Sequence, residues 1–154
     1  MPEPLDPYEK KILKVLQEDV SFSTAAIAEA VGLSASPCWR RIDRLEREGF
    51  IKRRVAIVDR KMVGLTAQIF AHVKLNEHGR ANLDQFGAAI REFPEVLECH
   101  VLMGAMDFML RIVAADIEAY ERFFFDKLSQ LPGIQEINSS IALSEIKSTT
   151  ALPM

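Results

Sequence analysis

Residues 31–49 read VGLSASPCWRRIDRLEREG, and the organisation of the whole chain turns on what this stretch folds into. It has the punctuation of a tight turn followed by a helix. Gly32 can take the positive φ that ends a preceding helix, and Ser34 is placed to cap the next one with its hydroxyl. Pro37 falls in the first turn, where a missing N–H costs little, and Gly49 closes the helix. With about 3.6 residues per turn, Cys38, Ile42 and Leu45 fall on one side and form the buried stripe. The opposite side carries Ser36, Arg40, Arg44 and Arg47. A short helix with small polar residues at its start and arginines on its solvent side suits a DNA major groove, where guanidinium forks reach guanine edges or phosphates. A solvated basic face is the competing reading.

The surrounding composition sets bounds. A chain of 154 residues, 49% hydrophobic and 27% charged, holds one ordinary globular domain or two small ones. No run approaches the roughly 18 apolar residues of a membrane span, and the start, MPEPLDPYEKK, lacks the basic-then-apolar pattern of a signal peptide. The expected location is cytoplasmic, with no membrane partner. Cys38 and Cys99 are far apart, each on a predicted apolar face, and are expected to be reduced core residues. The net charge of −3 argues against a nucleic-acid partner only until it is divided along the chain. Residues 1–60 hold eleven Lys and Arg against ten Asp and Glu, whereas residues 61–154 hold eight against twelve. Between Trp39 and Arg54 there are seven basic and three acidic residues, so positive potential concentrates around the opening stretch.

Upstream, Asp6-Pro7-Tyr8-Glu9 begins a helix with a capping residue, a proline at the first helical position and a glutamate three after the cap. A second helix is expected from about Thr24 to Val31, so that three helices joined by short turns form a helix-turn-helix unit. Phe50 to Val58, FIKRRVAIV, then reads as a β-rich wing whose Lys52, Arg53 and Arg54 could touch phosphate, or else as a solubilised edge strand.

The periodicity changes after Asp59 to Thr66, a connector of turn and polar residues. From Gln68 to Leu75 the chain alternates, with Ile69, Ala71, Val73 and Leu75 on one face. A helical run from Ala81 to Phe93 stops at Pro94. Strand-like runs follow at Val96 to Met103 and Phe108 to Val113, then a helix capped by Asp116, then a last run from about Ile134 to Ile146. The order strand, helix, strand, strand, helix, strand is that of a ferredoxin-like βαββαβ domain. The fold class is therefore α+β. The expected domains are a winged helix-turn-helix over 1–58, a linker over 59–66 and the ferredoxin-like domain over 67–154.

One sheet face is covered by the two helices, and the alternate positions include Phe70, Leu102, Met109, Val113, Ala142 and Ile146. That surface reads as too apolar to leave wet. Packing against a second copy gives a homodimer; the alternative is coverage by the N-terminal domain of the same chain.

Four segments, LDPYEKKILKVLQED, VGLSASPCWRRIDRLEREGFIKR, PEVLECHVLMGAMDFMLRI and LPGI with the terminal IALSEIKSTTALP, resemble the leucine-responsive regulator and AsnC family of bacterial and archaeal transcription factors. The resemblance spans nearly the whole chain. It implies dimers that assemble further, often into octamers, on double-stranded DNA, under the control of a small amino acid. The DNA-binding candidates are Ser34, Ser36, Trp39, Arg40, Arg41, Arg44 and Arg53. Family members commonly carry Gly-Asp-x-Asp-Tyr after the second strand, where this chain reads Gly104-Ala105-Met106-Asp107-Phe108. An α-amino acid requires a carboxylate for its ammonium group and N–H donors for its carboxylate. Asp107 can supply the first and backbone amides near Gly104 the second, with Ser139 and Ser140 adding hydroxyls near the same rim. Ala105 in place of the usual polar residue, next to Met106, favours an apolar ligand side chain. The competing reading makes Gly104 a source of backbone freedom and Asp107 a cap.

Two other readings compete with a sensor. The best catalytic candidates are Cys99, His100 and Asp107, but neighbouring strand residues point to opposite faces, so no catalytic residues are expected. His72 and His100 share the non-helical face without a third ligand, so no metal is expected and no cofactor beyond the amino-acid effector. The alternative function is an architectural protein that wraps DNA with little sequence choice, since the same arginines serve phosphate and base contacts.

Overall fold

The computed structural model describes residues 3–76 and 79–154. The chain divides into two compact units, one running through Ile57 together with Lys147–Met154, the other Val58–Ile146.

In the first unit, helix α1 spans Pro7–Glu18, α2 Thr24–Val31 and α3 Ala35–Arg47. The start of α1 forms a reciprocal capping box: Glu9 N–H donates to Asp6 Oδ1 at 2.7 Å and Asp6 N–H donates to Glu9 Oε2 at 2.8 Å. Ser23 caps α2 through the Ala26 N–H, and Gly32 at φ +76° ends it in the left-handed region, as the sequence requires. Ser34 stands at the N-cap of α3, but its hydroxyl makes no capping bond, contrary to expectation; only its carbonyl takes part, accepting from Cys38 N–H. Ile12, Leu13, Ile27, Val31, Cys38, Ile42 and Leu45 form the buried core, with Phe50 and Ile51 packed against it.

The wing strand expected over Phe50–Val58 is absent. Phe50 and Ile51 turn back onto the core, where Ile51 N–H donates to Leu45 C=O, and 52–59 run without ladder partners among the described residues. A strand exists only where a neighbour supplies C=O and N–H groups, and β-rich composition does not create that neighbour. Val55, Ile57 and Val58 are exposed as a result. The tail 147–154 groups with this unit and not with the sheet-bearing residues 67–146. The Gln17 side-chain amide bonds Leu152 both ways, accepting from its N–H at 2.7 Å and donating to its C=O at 3.3 Å.

The second unit opens with a closed turn in which Arg60 Nη1 donates to the carbonyls of Leu65 and Thr66. Strands β1 (Ala67–Leu75), β2 (Val96–Val101), β3 (Phe108–Ala114) and β4 (Ile134–Ile141) form one antiparallel sheet in the order β2-β3-β1-β4. Helices α4 (Arg80–Arg91) and α5 (Ile117–Asp126) pack on one face, where Phe86, Ile90, Tyr120 and Phe123 meet Ile69, Ala71, Val73, Phe108, Leu110 and Ile112. The expected βαββαβ order is thus the observed one.

The limits of the strands differ from expectation. β2 ends at Val101 and β4 at Ile141, so Leu102 and Ile146 lie beyond the sheet, Ile146 almost fully exposed. The open face is also less apolar than expected. Its rows read His100–Met109–His72–Asn138 and Glu98–Arg111–Phe70–Ser140 across the four strands, while Val113 is buried. The Arg111 guanidinium pairs with Glu98 Oε1 at 2.6 Å, and His100 Nε2 lies 3.4 Å from Glu98 Oε2. Alternation assigns side chains to a face; it does not make that face apolar.

Candidate nucleic-acid interface and effector loop

The buried stripe of α3 is the one its spacing dictates, with Cys38 and Leu45 at 0% exposure and Ile42 at 6%. Ser34, Ser36, Trp39 and Arg40 are all exposed on the same helix, Trp39 at 58%, an unusual position for an indole unless it meets a partner. Arg53 is exposed in the extended stretch beyond α3, whereas Arg54 pairs with Glu46 at 2.6 Å.

Two of the arginines read as free for DNA are occupied within the chain. Arg44 Nη1 donates to Glu9 Oε1 at 2.6 Å, Nε to Glu48 Oε1 at 3.0 Å and Nη2 to the Glu3 carbonyl at 2.8 Å. Its side chain is only 18% exposed, and the Glu48 and Glu9 carboxylates hold its pKa well above the usual guanidinium value. Arg41 Nε donates to Asp6 Oδ2 at 3.0 Å, with its guanidinium over the Tyr8 ring. Both residues sit on the flank of α3 that faces α1, not on its open side.

The loop between β2 and β3 holds Gly104 and Ala105 exposed and Met106 and Asp107 half-buried. Asp107 ties it down. Its N–H donates to Val73 C=O at 2.9 Å, its C=O accepts from Leu102 N–H at 2.8 Å, and its Oδ2 accepts from Leu75 N–H at 2.8 Å. Asp107 therefore anchors the loop to the end of β1. Phe108 turns its side chain into the core and not toward this rim. It is 1% exposed and stacks on Phe86 at a centroid distance of 4.4 Å, because the first inward position of β3 belongs to the core.

Ser139 and Ser140 do not share a rim. Ser139 pairs with Ala71 on the helix-covered face, its hydroxyl 2.5 Å from the Tyr120 hydroxyl, while Ser140 pairs with Phe70 on the opposite face. Burial raises the Tyr120 pKa, so the phenol stays protonated against Ser139. At the Asp107 end of the sheet, Leu75 also lines a pocket of about 260 Å³ with Asn76, Asn82, Gln85, Pro132 and Gly133. Sequence reasoning missed these three side-chain amides. Their signal would have been polar residues just past a strand end and along the first turns of a helix.

Cys99 is exposed, not a core residue, since β2 is an edge strand; it lines a groove of about 510 Å³ between β2 and α4. His72 and His100 are separated by Met109 of the intervening strand, two strand spacings or roughly 10 Å apart. Among the described residues no cluster of three or more His, Cys, Asp or Glu is placed to hold a metal ion, and no helix is long and apolar enough to cross a membrane.

Residues 5–52 match the family described as winged helix-turn-helix DNA-binding, and residues 68–152 match the Lrp/AsnC ligand binding domain. The DNA-binding transcriptional activator DecR of Escherichia coli is 36% identical over 150 residues, 97% of this chain and 99% of that protein. The crystal structure of an AsnC family transcriptional regulator from Agrobacterium tumefaciens is 39% identical with a TM-score of 0.92, covering 97% of both chains. A transcriptional regulator from Neisseria meningitidis in complex with L-Met is 37% identical, also with a TM-score of 0.92 and 97% coverage of both chains.

Proposed function

The chain belongs to the Lrp/AsnC family of transcription regulators, and from that premise we propose that it reads operator DNA through α3 and adjusts that reading to a small amino acid bound by its sheet-bearing unit. It is a DNA-binding regulator and not an enzyme. The observation that carries the reading is the exposed end of α3: Ser36, Trp39 and Arg40 stand free of the core on a helix whose other sides are buried or paired. Arg40 contacts a base edge or phosphate, Trp39 and Ser36 lie at the groove, and Arg53 adds a phosphate contact. Residues 1–58 form the DNA-binding domain, 59–66 the linker, and the sheet within 67–154 senses and assembles.

The effector is held at the loop Gly104–Asp107, with the Asp107 carboxylate taking its ammonium group. Ala105 and Met106 favour an apolar side chain, and the L-Met bound by the Neisseria meningitidis relative makes methionine the first candidate. The protein acts in the cytoplasm as a homodimer joined through open sheet faces, the dimers assembling further to an octamer. Effector binding then shifts the population between assemblies that space the recognition helices differently, by no more than its differential affinity for them.

Calorimetric titration with the twenty amino acids, followed by gel shift on the chain's own upstream DNA with any that bind, tests this. An amino acid that binds and changes the shift pattern is the expected result. Binding without any change in the shift refutes the coupling, and no binding by any of the twenty refutes the sensor.

A further inference from the structure

The carboxylates that cap α1 do a second task. Each has two oxygens, and the capping box uses one of each: Asp6 Oδ1 takes Glu9 N–H and Glu9 Oε2 takes Asp6 N–H. The remaining oxygens accept from α3, Asp6 Oδ2 from Arg41 Nε and Glu9 Oε1 from Arg44 Nη1. Asp6 and Glu9 are three residues apart at the start of one helix; Arg41 and Arg44 are three apart on the other. Residues at that spacing lie one above the other on a helix surface, so the contact has two points. One ion pair is a pivot, whereas two also restrain roll about the helix axis.

Stability alone does not account for this arrangement. Glu9 is 1% exposed, and burying a carboxylate carries a desolvation cost that its partner largely offsets without surplus. An apolar residue pair of similar volume holds two helices together at least as well. Charge and fork geometry add direction instead: Arg44 commits Nε, Nη1 and Nη2 to three separate acceptors, which leaves it a single orientation.

We propose that this two-point clamp sets the roll of α3 and so aims Ser36, Trp39 and Arg40 at the duplex, making Glu9 and Arg44 positioning residues for DNA reading and not DNA contacts. The proposal rests on the reading of α3 as the recognition helix. Side-chain tips lie roughly 5–6 Å from a helix axis, so a roll of about 20° moves them about 2 Å. Hydrogen bonds tolerate only a few tenths of an ångström. A small loss of roll control therefore erases base reading and leaves general attraction to phosphate intact.

The test uses the full chain carrying Glu9→Gln, Arg44→Lys or Arg40→Ala. Binding is measured by anisotropy on a duplex selected by the native protein from a random pool and on a scrambled duplex of the same composition, across a range of salt. Titration with duplex at concentrations far above Kd gives the DNA-competent fraction. For Glu9→Gln and Arg44→Lys the expected result is a loss of roughly tenfold on the selected duplex, the cost of one misread base pair. Scrambled-duplex affinity and the salt slope stay as in the native protein. Weakening of both duplexes alike by Arg44→Lys, which keeps the charge but loses the guanidinium fork, would make Arg44 a phosphate contact and overturn the clamp. So would a lowered competent fraction at unchanged affinity, which marks a purely structural role, or unchanged affinity throughout while Arg40→Ala weakens binding. If Arg40→Ala also changes nothing, the recognition-helix reading fails and the clamp with it.

Discussion

The Asp107 carboxylate is assigned two tasks, and replacing it by alanine and by asparagine separates them. Its Oδ2 accepts the N–H of Leu75, a residue 2% exposed, at 2.8 Å. A hydrogen bond to a charged acceptor contributes about 1.5–3 kcal/mol, and leaving a buried donor unmet costs a similar amount. Asp107→Ala therefore destabilises the fold by about 1.5–3 kcal/mol. The backbone bonds from Asp107 N–H to Val73 and from Leu102 N–H to Asp107 survive the substitution, so the loop still closes. Asp107→Asn keeps an oxygen for Leu75 N–H, but a neutral acceptor is about half as strong, giving a cost near 1 kcal/mol. If Asp107 holds the ligand's ammonium group as proposed, that group loses its counter-charge in both variants, a loss of about ten- to a hundredfold in affinity. Urea unfolding followed by circular dichroism reads the first task, and calorimetry with the amino acid that binds the native chain reads the second. An Asp107→Asn variant that binds that amino acid with native affinity would refute the ammonium assignment, leaving Asp107 a loop anchor. An Asp107→Ala variant of native stability would refute the anchor.

Phe108→Ala removes a fully buried ring stacked on Phe86 and should cost about 3–5 kcal/mol in urea unfolding; a loss under 1 kcal/mol would show that the ring is not in the core. Arg40→Ala should cost about 1–3 kcal/mol of operator affinity in a gel-shift titration if Arg40 reads a base, and no loss would end that assignment. Acid should weaken both units. Arg111 and then His100 hold the Glu98 carboxyl below its ordinary 4.5, against opposing burial. For Asp6, burial acts to raise the value, but Glu9 N–H and Arg41 override it and hold it below 3.8. Groups with depressed folded pKa values contribute stability above their ordinary values and lose it as pH falls through the folded ones. Unfolding free energy should thus decline below about pH 4.5, and a flat profile down to about pH 3 would contradict both pairs.

Local sequence signals were enough for the five helices and the four sheet strands of the described residues, in their order, but not for the segment between the two units. Periodicities of two and of 3.6, the Asp6-x-x-Glu9 box, Gly32 at a left-handed turn and Pro94 after α4 are signals between near neighbours, and near neighbours govern caps, turns and faces. The core side of α3 and the buried residues of β1 were legible for the same reason. Long-range contacts settled which exposed-looking positions another segment would reach. Arg41 and Arg44 look solvent-facing on a helical wheel until α1, 35 residues earlier, brings carboxylates to them. Ser139 and Ser140 look like a pair until register sends one to Tyr120 and the other to the open face. The Phe50–Val58 run has the composition of a strand but pairs with no neighbour among the described residues. Each of these depends on contacts between residues far apart in the chain, and a local pattern cannot specify its distant partner.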